Sequence, residues 1–387
     1  LGHKLMAELK KEFFCPAPFA GGYVDIKKIA YPCCKVKVTA FDHDPQCDLT
    51  KNDLNTAVRS KAWADLRDSF SNNIKPPECS ECWNAEDAGC ESERTHLLHH
   101  LKEVSTDKVS IQKLQIVPSI TCNFKCRICD SNFSSAIALE EIKNIHDTQT
   151  KEQLTLDLKN NSLIDIEYYK RILEKSLPAI THLQILGGEP FLMKNLPELL
   201  EHIIDRGHNE HIRLSINTNG SSWSDRLVSL ITKFKSCAVL LSVDAIGKRF
   251  EDERGGSWAE VEGNFDRWLT VPDIMVIVTA TVSIQNVLYV DELVDFINRK
   301  GVYVGWNYVD DPTELCIDYM TDAAKELVYN KLKDNQDNEV KSIVERVVSA
   351  TSTSGKAFID LMDLYDLRRG TNFKQSHGEI YDAMSAK

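Results

Sequence analysis

The stretch TCNFKCRICDSNFSS, residues 121–135, places cysteines at 122, 126 and 129, directly behind the apolar run LQIVPSI. Three thiolates spaced C-x3-C-x2-C can hold three irons of a 4Fe-4S cube and leave the fourth iron without a protein ligand. A structural zinc ion takes four closed ligands, commonly in CxxC pairs, and no fourth Cys or His lies close by in sequence. The spacing favours a cluster with an open iron, with zinc or unrelated thiols as the alternatives.

Outward from this loop the chain alternates short apolar runs with helical stretches. Strands are expected at LQIVPSI, HLQILGG, RLSINTN, VLLSVDA, MVIVTATVSI and VYVGWNYV, with helices such as SLIDIEYYKRILEKSL and LPELLEHIIDRG between them. Such alternation implies a parallel sheet, because parallel strands need crossover connections. Six strands suit a partial (β/α)6 barrel better than a closed eight-stranded one, and reactive residues should gather at the C-terminal strand ends. The expected α/β organisation is a small cysteine-rich domain over 1–105, the partial barrel over 106–320 and a helical extension over 321–387. Within the first part, a short strand pair is expected around GGYVDIKKIAYPCCKV. An amphipathic helix follows around DLNTAVRSKAWADLRDSF and is stopped by Pro76 and Pro77. SATSTSGK, 349–356, reads as a loop.

Composition sets the outer limits. The chain has 387 residues, 42% apolar and 27% charged, enough for a large core in two domains. Its 58 acidic residues against 46 basic give a net charge of -12, which disfavours nucleic acid as a partner. No apolar run approaches the ~18–20 residues that cross a bilayer, and no signal-peptide core is visible at the N-terminus, so a soluble cytoplasmic protein is expected. In a reducing compartment, twelve cysteines point to metal or redox chemistry rather than disulfides.

The C-x3-C-x2-C loop resembles that of the radical SAM superfamily. The resemblance implies that Cys122, Cys126 and Cys129 ligate a 4Fe-4S cluster whose open iron chelates the amino and carboxylate groups of S-adenosylmethionine. The reduced cluster then splits the sulfonium to a 5'-deoxyadenosyl radical, which abstracts hydrogen from substrate. The residue before the third cysteine, usually aromatic, is Ile128 here, a departure that bears on packing against adenine more than on ligation. LGGEP, with Gly187, Gly188, Glu189 and Pro190, matches the motif that accepts the methionyl ammonium; glycines permit close backbone approach and Glu189 offers a carboxylate to a cation. NTNG, Asn217 to Gly220, is a polar strand-end turn. In SVDA, Ser242 and Asp244 alternate with Val243 and share a face suited to ribose hydroxyls, the alternative being a polar strand end in solvent. Arg254 is expected to clamp the methionine carboxylate, or else to be a surface arginine beside Glu253. TVSIQN resembles the adenine-contacting segment and points to Val282, Ile284 and Asn286.

FCPAPFAGGYVDIKKIAYPCC followed by CSECW is similar to the SPASM and twitch modules that carry an auxiliary 4Fe-4S cluster. Those modules usually follow the barrel, whereas here the pattern precedes it. Cys79 and Cys82 form a metal knuckle that needs two more thiolates; Cys15 and one of Cys33 and Cys34 can supply them, with Cys33 favoured by spacing. The module's glycine, five residues ahead of its second cysteine, is replaced here by Lys28. A structural zinc with the same four ligands is the alternative. Cys47 and Cys90 read as ordinary small residues, with replacement ligands as the alternative. The segment with Trp83, Glu86, Gly89, Ser92 and Arg94 reads as a helix start and a connection that could also touch substrate. Four ligands would make the auxiliary cluster an electron conduit.

Cys316, after the sixth strand, is a candidate hydrogen-atom donor to a substrate radical, or a buried inert thiol. LYDLRRGTNFKQ resembles the ending of radical SAM proteins with this module; Arg368, Arg369 and Phe373 either close a substrate pocket or pack. The resemblance implies an oxidoreductase-type enzyme that oxidises or cross-links a peptide, with the auxiliary cluster as electron acceptor and a donor such as flavodoxin or ferredoxin. Radical dehydrogenation or epimerisation of a small molecule such as a sugar or aminocyclitol is the second expectation. A zinc-stabilised binding protein is the third.

Overall fold

In the computed structural model, which describes residues 12–87, 91–101, 104–106 and 109–386, an N-terminal hairpin of β1 (Gly21–Val24) and β2 (Ala30–Tyr31) precedes all six expected strands. These are β3 (Lys113–Ile116), β4 (His182–Ile185), β5 (Arg213–Thr218), β6 (Ser236–Ser242), β7 (Ile274–Val282) and β8 (Tyr303–Tyr308). The sheet therefore has eight strands rather than six, in the order β2-β1-β3-β4-β5-β6-β7-β8. β1 pairs antiparallel with β2 and parallel with β3, with Gly21 opposite Lys113 and Val24 opposite Ile116. The hairpin expected within the cysteine-rich segment forms, and its first strand also extends the main sheet. β3–β4, β4–β5 and β7–β8 are parallel, as the crossover helices require. Gly89 and Cys90 lie outside the described residues.

Two compact units make up the chain. The first takes in Leu1–Thr121, Glu152–Asn217 and Ser224–Ala238, and the second Cys122–Lys151, Thr218–Trp223 and Val239–Lys387. In the first, the helix expected over 53–70 forms as two pieces, Leu54–Ala57 and Lys61–Ser71. Each starts at its own cap, Asp53 accepting from Thr56 N and Ser60 from Trp63 N. The helix Ile166–Leu173 turns Ile166, Tyr168, Tyr169, Ile172 and Leu173 inward. Polar residues of β3, β4 and β5 form an amide ladder: Gln115 Nε2 donates to Gln184 Oε1 at 2.9 Å, and Gln184 Nε2 donates to Asn217 Oδ1 at 2.9 Å.

In the second unit, four C-terminal helices follow β8: Asp322–Leu332, Asn338–Ser349, Lys356–Arg369 and Phe373–Ser385. Their apolar faces, including Phe358, Met362, Phe373, Ile380 and Met384, share one core with Val282, Ile284, Val287 and Leu288 behind β7. Each such fully buried side chain stabilises by about 1.5–3 kcal/mol, so this extension is built into its unit rather than appended to it. Among the described residues no helix is long and apolar enough to cross a membrane.

Candidate functional site

The cysteine loop of the second unit is held by a neighbouring helix end. The last carbonyls of helix Gly247–Arg254 have no intrahelical donors, and the loop supplies them: Lys125 N donates to Arg254 O at 3.2 Å and Arg127 N to Glu253 O at 2.8 Å. Gly255, at φ 75°, ends that helix in the left-handed region. At Gly256 a Cβ would stand 2.0 Å from the Phe124 ring, so only glycine lets the loop lie this close. Ser134 Oγ donates to Phe124 O at 2.7 Å, and Ser135 Oγ both accepts from Cys122 N and donates to Cys122 O at 3.0 Å.

Donors converge on the sulfurs. Phe124 N lies 3.4 Å and Asn219 Nδ2 3.8 Å from Cys122 Sγ, and Arg254 Nη1 lies 3.9 Å from Cys126 Sγ. Burial, then the charges of Cys126, Asp130 and Cys122, push the Cys129 thiol well above its ordinary range. The charges of both other thiols act on Cys129, and N–H donors stand beside the Cys122 and Cys126 sulfurs, so the loop offers three soft donors of the kind an iron-sulfur centre takes. Among the described residues no three His, Cys, Asp or Glu side chains converge on a single ion, and the ligands of a cube bind separate irons.

Arg254 is buried, not a surface residue. Its Nε and Nη2 donate to Asp244 Oδ2 at 2.8 and 2.6 Å, while Asp244 Oδ1 accepts from Thr281 N at 2.8 Å. Asp244, expected at ribose hydroxyls, thus has both oxygens engaged and orients Arg254. Ser242 Oγ faces Thr279 Oγ1 at 3.5 Å. Val282 and Ile284, expected against adenine, are buried in the core, and Asn286 bonds back to its own turn through Ser283 N and Thr281 O. Cys316 is buried too, its thiol donating to Pro312 O at 3.7 Å and pushed up to about 12 by burial. Arg369 pairs with Glu140 at 3.1 Å and Phe373 is fully buried, so both pack.

In the first unit, the glycines of LGGEP serve a close approach of the chain to itself. Gly187 sits at φ 113°, Gly188 N donates to Ser119 O at 3.0 Å and Glu189 N to Thr121 O at 2.7 Å. A Cβ at Gly188 would stand 2.2 Å from Thr121 O. Gly188→Ala is therefore expected to cost about 1–3 kcal/mol as the backbone before Cys122 shifts, read as a lowered urea midpoint. Glu189 is fully buried, and its Oε1 caps the Pro190–Leu192 turn by accepting from Phe191 N at 2.9 Å. Asn217 ends the amide ladder. Asn219, the donor to Cys122, was missed; the signal was its spacing of two from Asn217 in the same polar turn.

Cys15, Cys33, Cys79 and Cys82 line one cavity of the first unit, while Cys34 is exposed. Burial pushes Cys15 well up, and the charges of Cys79 and Cys82 add to it; burial pushes Cys79 up to about 12. The backbone N–H of Ala17 points at Cys15 and that of Arg94 at Cys82. Arg94 ties the entry and exit of this segment together, donating to Phe14 O at 3.0 Å and Glu86 Oε1 at 2.9 Å with its guanidinium 5.0 Å from the Trp83 ring. Ser92 caps the helix Glu93–His100. Cys47 is a small core residue, 3.4 Å from Ser60 Oγ. Lys28 stands at φ 67°, the left-handed conformation that a glycine would favour in this hairpin turn. Its side chain compensates through Asp165 at 3.1 Å and the Tyr168 ring at 4.6 Å.

Residues 116–297 match the family model described as the Radical SAM superfamily. The radical SAM cyclopropyl synthase TigE of Paramaledivibacter caminithermalis is 27% identical over 173 residues, which are 43% of this chain and 34% of that protein. The 7-carboxy-7-deazaguanine synthase of Bacillus cereus is 25% identical over 119 residues, 31% of this chain and 41% of that protein. The chain thus spans well under half the length of these curated relatives. Among solved structures, S-adenosylmethionine-bound SuiB of Streptococcus suis superposes with a TM-score of 0.40 at 20% identity, covering 65% of this chain and 51% of that one. With the C-x3-C-x2-C loop inside the matched segment, residues 116–297 are a radical SAM superfamily domain.

Proposed function

We propose that the chain is a radical SAM enzyme that oxidises or cross-links a peptide. Cys122, Cys126 and Cys129 would hold the 4Fe-4S cluster that binds S-adenosylmethionine. Cys15, Cys33, Cys79 and Cys82 would hold an auxiliary 4Fe-4S cluster that accepts the product electron. The observation that carries the reading is the C-x3-C-x2-C loop inside the matched segment, fixed by backbone bonds to a helix end, with N–H donors beside the Cys122 and Cys126 sulfurs. When bound, the cluster and S-adenosylmethionine supply a 5'-deoxyadenosyl radical for hydrogen abstraction. The chain's own part is to bind and orient. Asn219 and Arg254 place donors at Cys122 and Cys126. Glu189 is assigned to the methionyl ammonium and Arg254, steadied by Asp244, to the carboxylate. The peptide class rests on the likeness of the N-terminal cysteine pattern to SPASM and twitch modules.

The test is iron and sulfide content of anaerobically purified protein, with S-adenosylmethionine cleavage assayed under dithionite, beside a Cys122→Ala, Cys126→Ala, Cys129→Ala variant. About eight irons falling to about four, with 5'-deoxyadenosine formation falling to background, is the expected result. About four falling to none, with zinc at the N-terminal thiols, would remove the electron-acceptor role. Reconstituted protein without iron would sink the enzyme reading.

A further inference from the structure

We propose that Arg127, between the second and third cysteines, is a positioning residue that lets the two C-terminal helices fix the geometry and charge of the cluster loop. The inference rests on the cluster assignment above. Arg127 has no exposed surface. Its guanidinium bridges three elements: Nε donates to Asp252 O at 2.8 Å, Nη2 to Asp366 Oδ1 at 2.5 Å and Thr371 Oγ1 at 3.1 Å, and Nη1 to Met362 O at 3.4 Å. The Phe373 ring lies 5.1 Å away. Asp366 is fixed in turn by Phe373 N at 2.7 Å and the Thr371 hydroxyl at 2.6 Å. A second tie comes from the same helix, where Arg369 Nη1 donates to Lys125 O at 2.7 Å and its guanidinium pairs with Glu140. Residues 125 and 127, on either side of Cys126, are thus both held by helix Lys356–Arg369 or the turn after it.

An apolar side chain of similar volume would fill this site without paying the desolvation of an arginine. What it could not do is bond a helix end, a carboxylate and a turn hydroxyl at once, which needs the planar five-donor fork. Arg127 directly follows Cys126 in sequence, and its buried guanidinium charge is partly offset by Asp366. Cluster potential follows local charge. Losing the cation should make the cluster harder to reduce, and losing the anion should make it easier.

The experiment is an EPR-monitored redox titration of the reconstituted full-length holoprotein, following the signal that added S-adenosylmethionine perturbs, in wild type, Arg127→Met and Asp366→Asn. Iron release to a chelator is timed in parallel. Arg127→Met is expected to shift the midpoint negative and to lose iron at least tenfold faster; Asp366→Asn is expected to shift it positive. A residue that only filled space would move both variants the same way or neither. Folded variants with the wild-type midpoint and iron lifetime, or shifts of one common sign, overturn the proposal while leaving the cluster assignment standing. If Arg127→Met does not fold, Asp366→Asn decides by its sign: a positive shift supports the role, and none or a negative one overturns it. A wild type without the S-adenosylmethionine-sensitive signal overturns this proposal and the cluster assignment together.

Discussion

A Cys79→Ala/Cys82→Ala variant is expected to retain about four irons and full S-adenosylmethionine cleavage while losing turnover of a peptide substrate. The four N-terminal thiols share one cavity, and burial together with their mutual charges holds Cys15 and Cys79 as neutral thiols unless a cation compensates them. Removing the CxxC pair leaves Cys15 and Cys33, too few to hold a cube. The cysteine loop belongs to the other compact unit and makes its own backbone contacts, so its iron should persist. Uncoupling of cleavage from turnover would mark the N-terminal site as the electron acceptor. Unchanged turnover with four irons would remove that role, and eight irons in the variant would mean that other thiols, with exposed Cys34 the nearest in sequence, complete the set.

The strands and the cysteine loop were legible because their signals are local. Period-two and continuous apolar runs mark strands wherever they sit, and C-x3-C-x2-C is a donor spacing that little else requires. What could not be read was anything set by pairing across long sequence distance. Nothing in GGYV says that β1 adds to β3 some 90 residues later. Ser242 ends β6 and Asp244 lies two residues past it, and the carboxylate's partner is fixed by a helix that returns Arg254 to it. Gln115 and Gln184 each sit in an unremarked LQI, and only sheet register turns them with Asn217 into a ladder. LGGEP was read as room for a ligand; the structure shows the room taken first by residues 119–121, which lead into the cysteine loop. In the C-terminal tail, Arg369 and Phe373 looked available for substrate because sequence cannot distinguish an arginine in solvent from one bonded to a buried glutamate.

Asp244→Ala is expected to cost about 3–5 kcal/mol, because it leaves the Arg254 guanidinium buried without its anion. Both carboxylate oxygens are used, one by two arginine nitrogens and one by Thr281 N, so the substitution strands a cation and a strand-end N–H together. Asp244→Asn keeps acceptor capacity without the charge and should fall between wild type and alanine. An Asp244→Leu/Arg254→Met double variant, with neither charge left to strand, should recover most of the loss in a double-mutant cycle. Urea midpoints at unchanged m-value give the comparison. A loss below about 1 kcal/mol for Asp244→Ala would mean that the guanidinium escapes to water, as exposed pairs do. The double variant also separates stability from chemistry. It would restore the fold while removing the donor 3.9 Å from Cys126 Sγ, so a restored urea midpoint with lost S-adenosylmethionine cleavage would assign Arg254 to cofactor binding and Asp244 to holding it there.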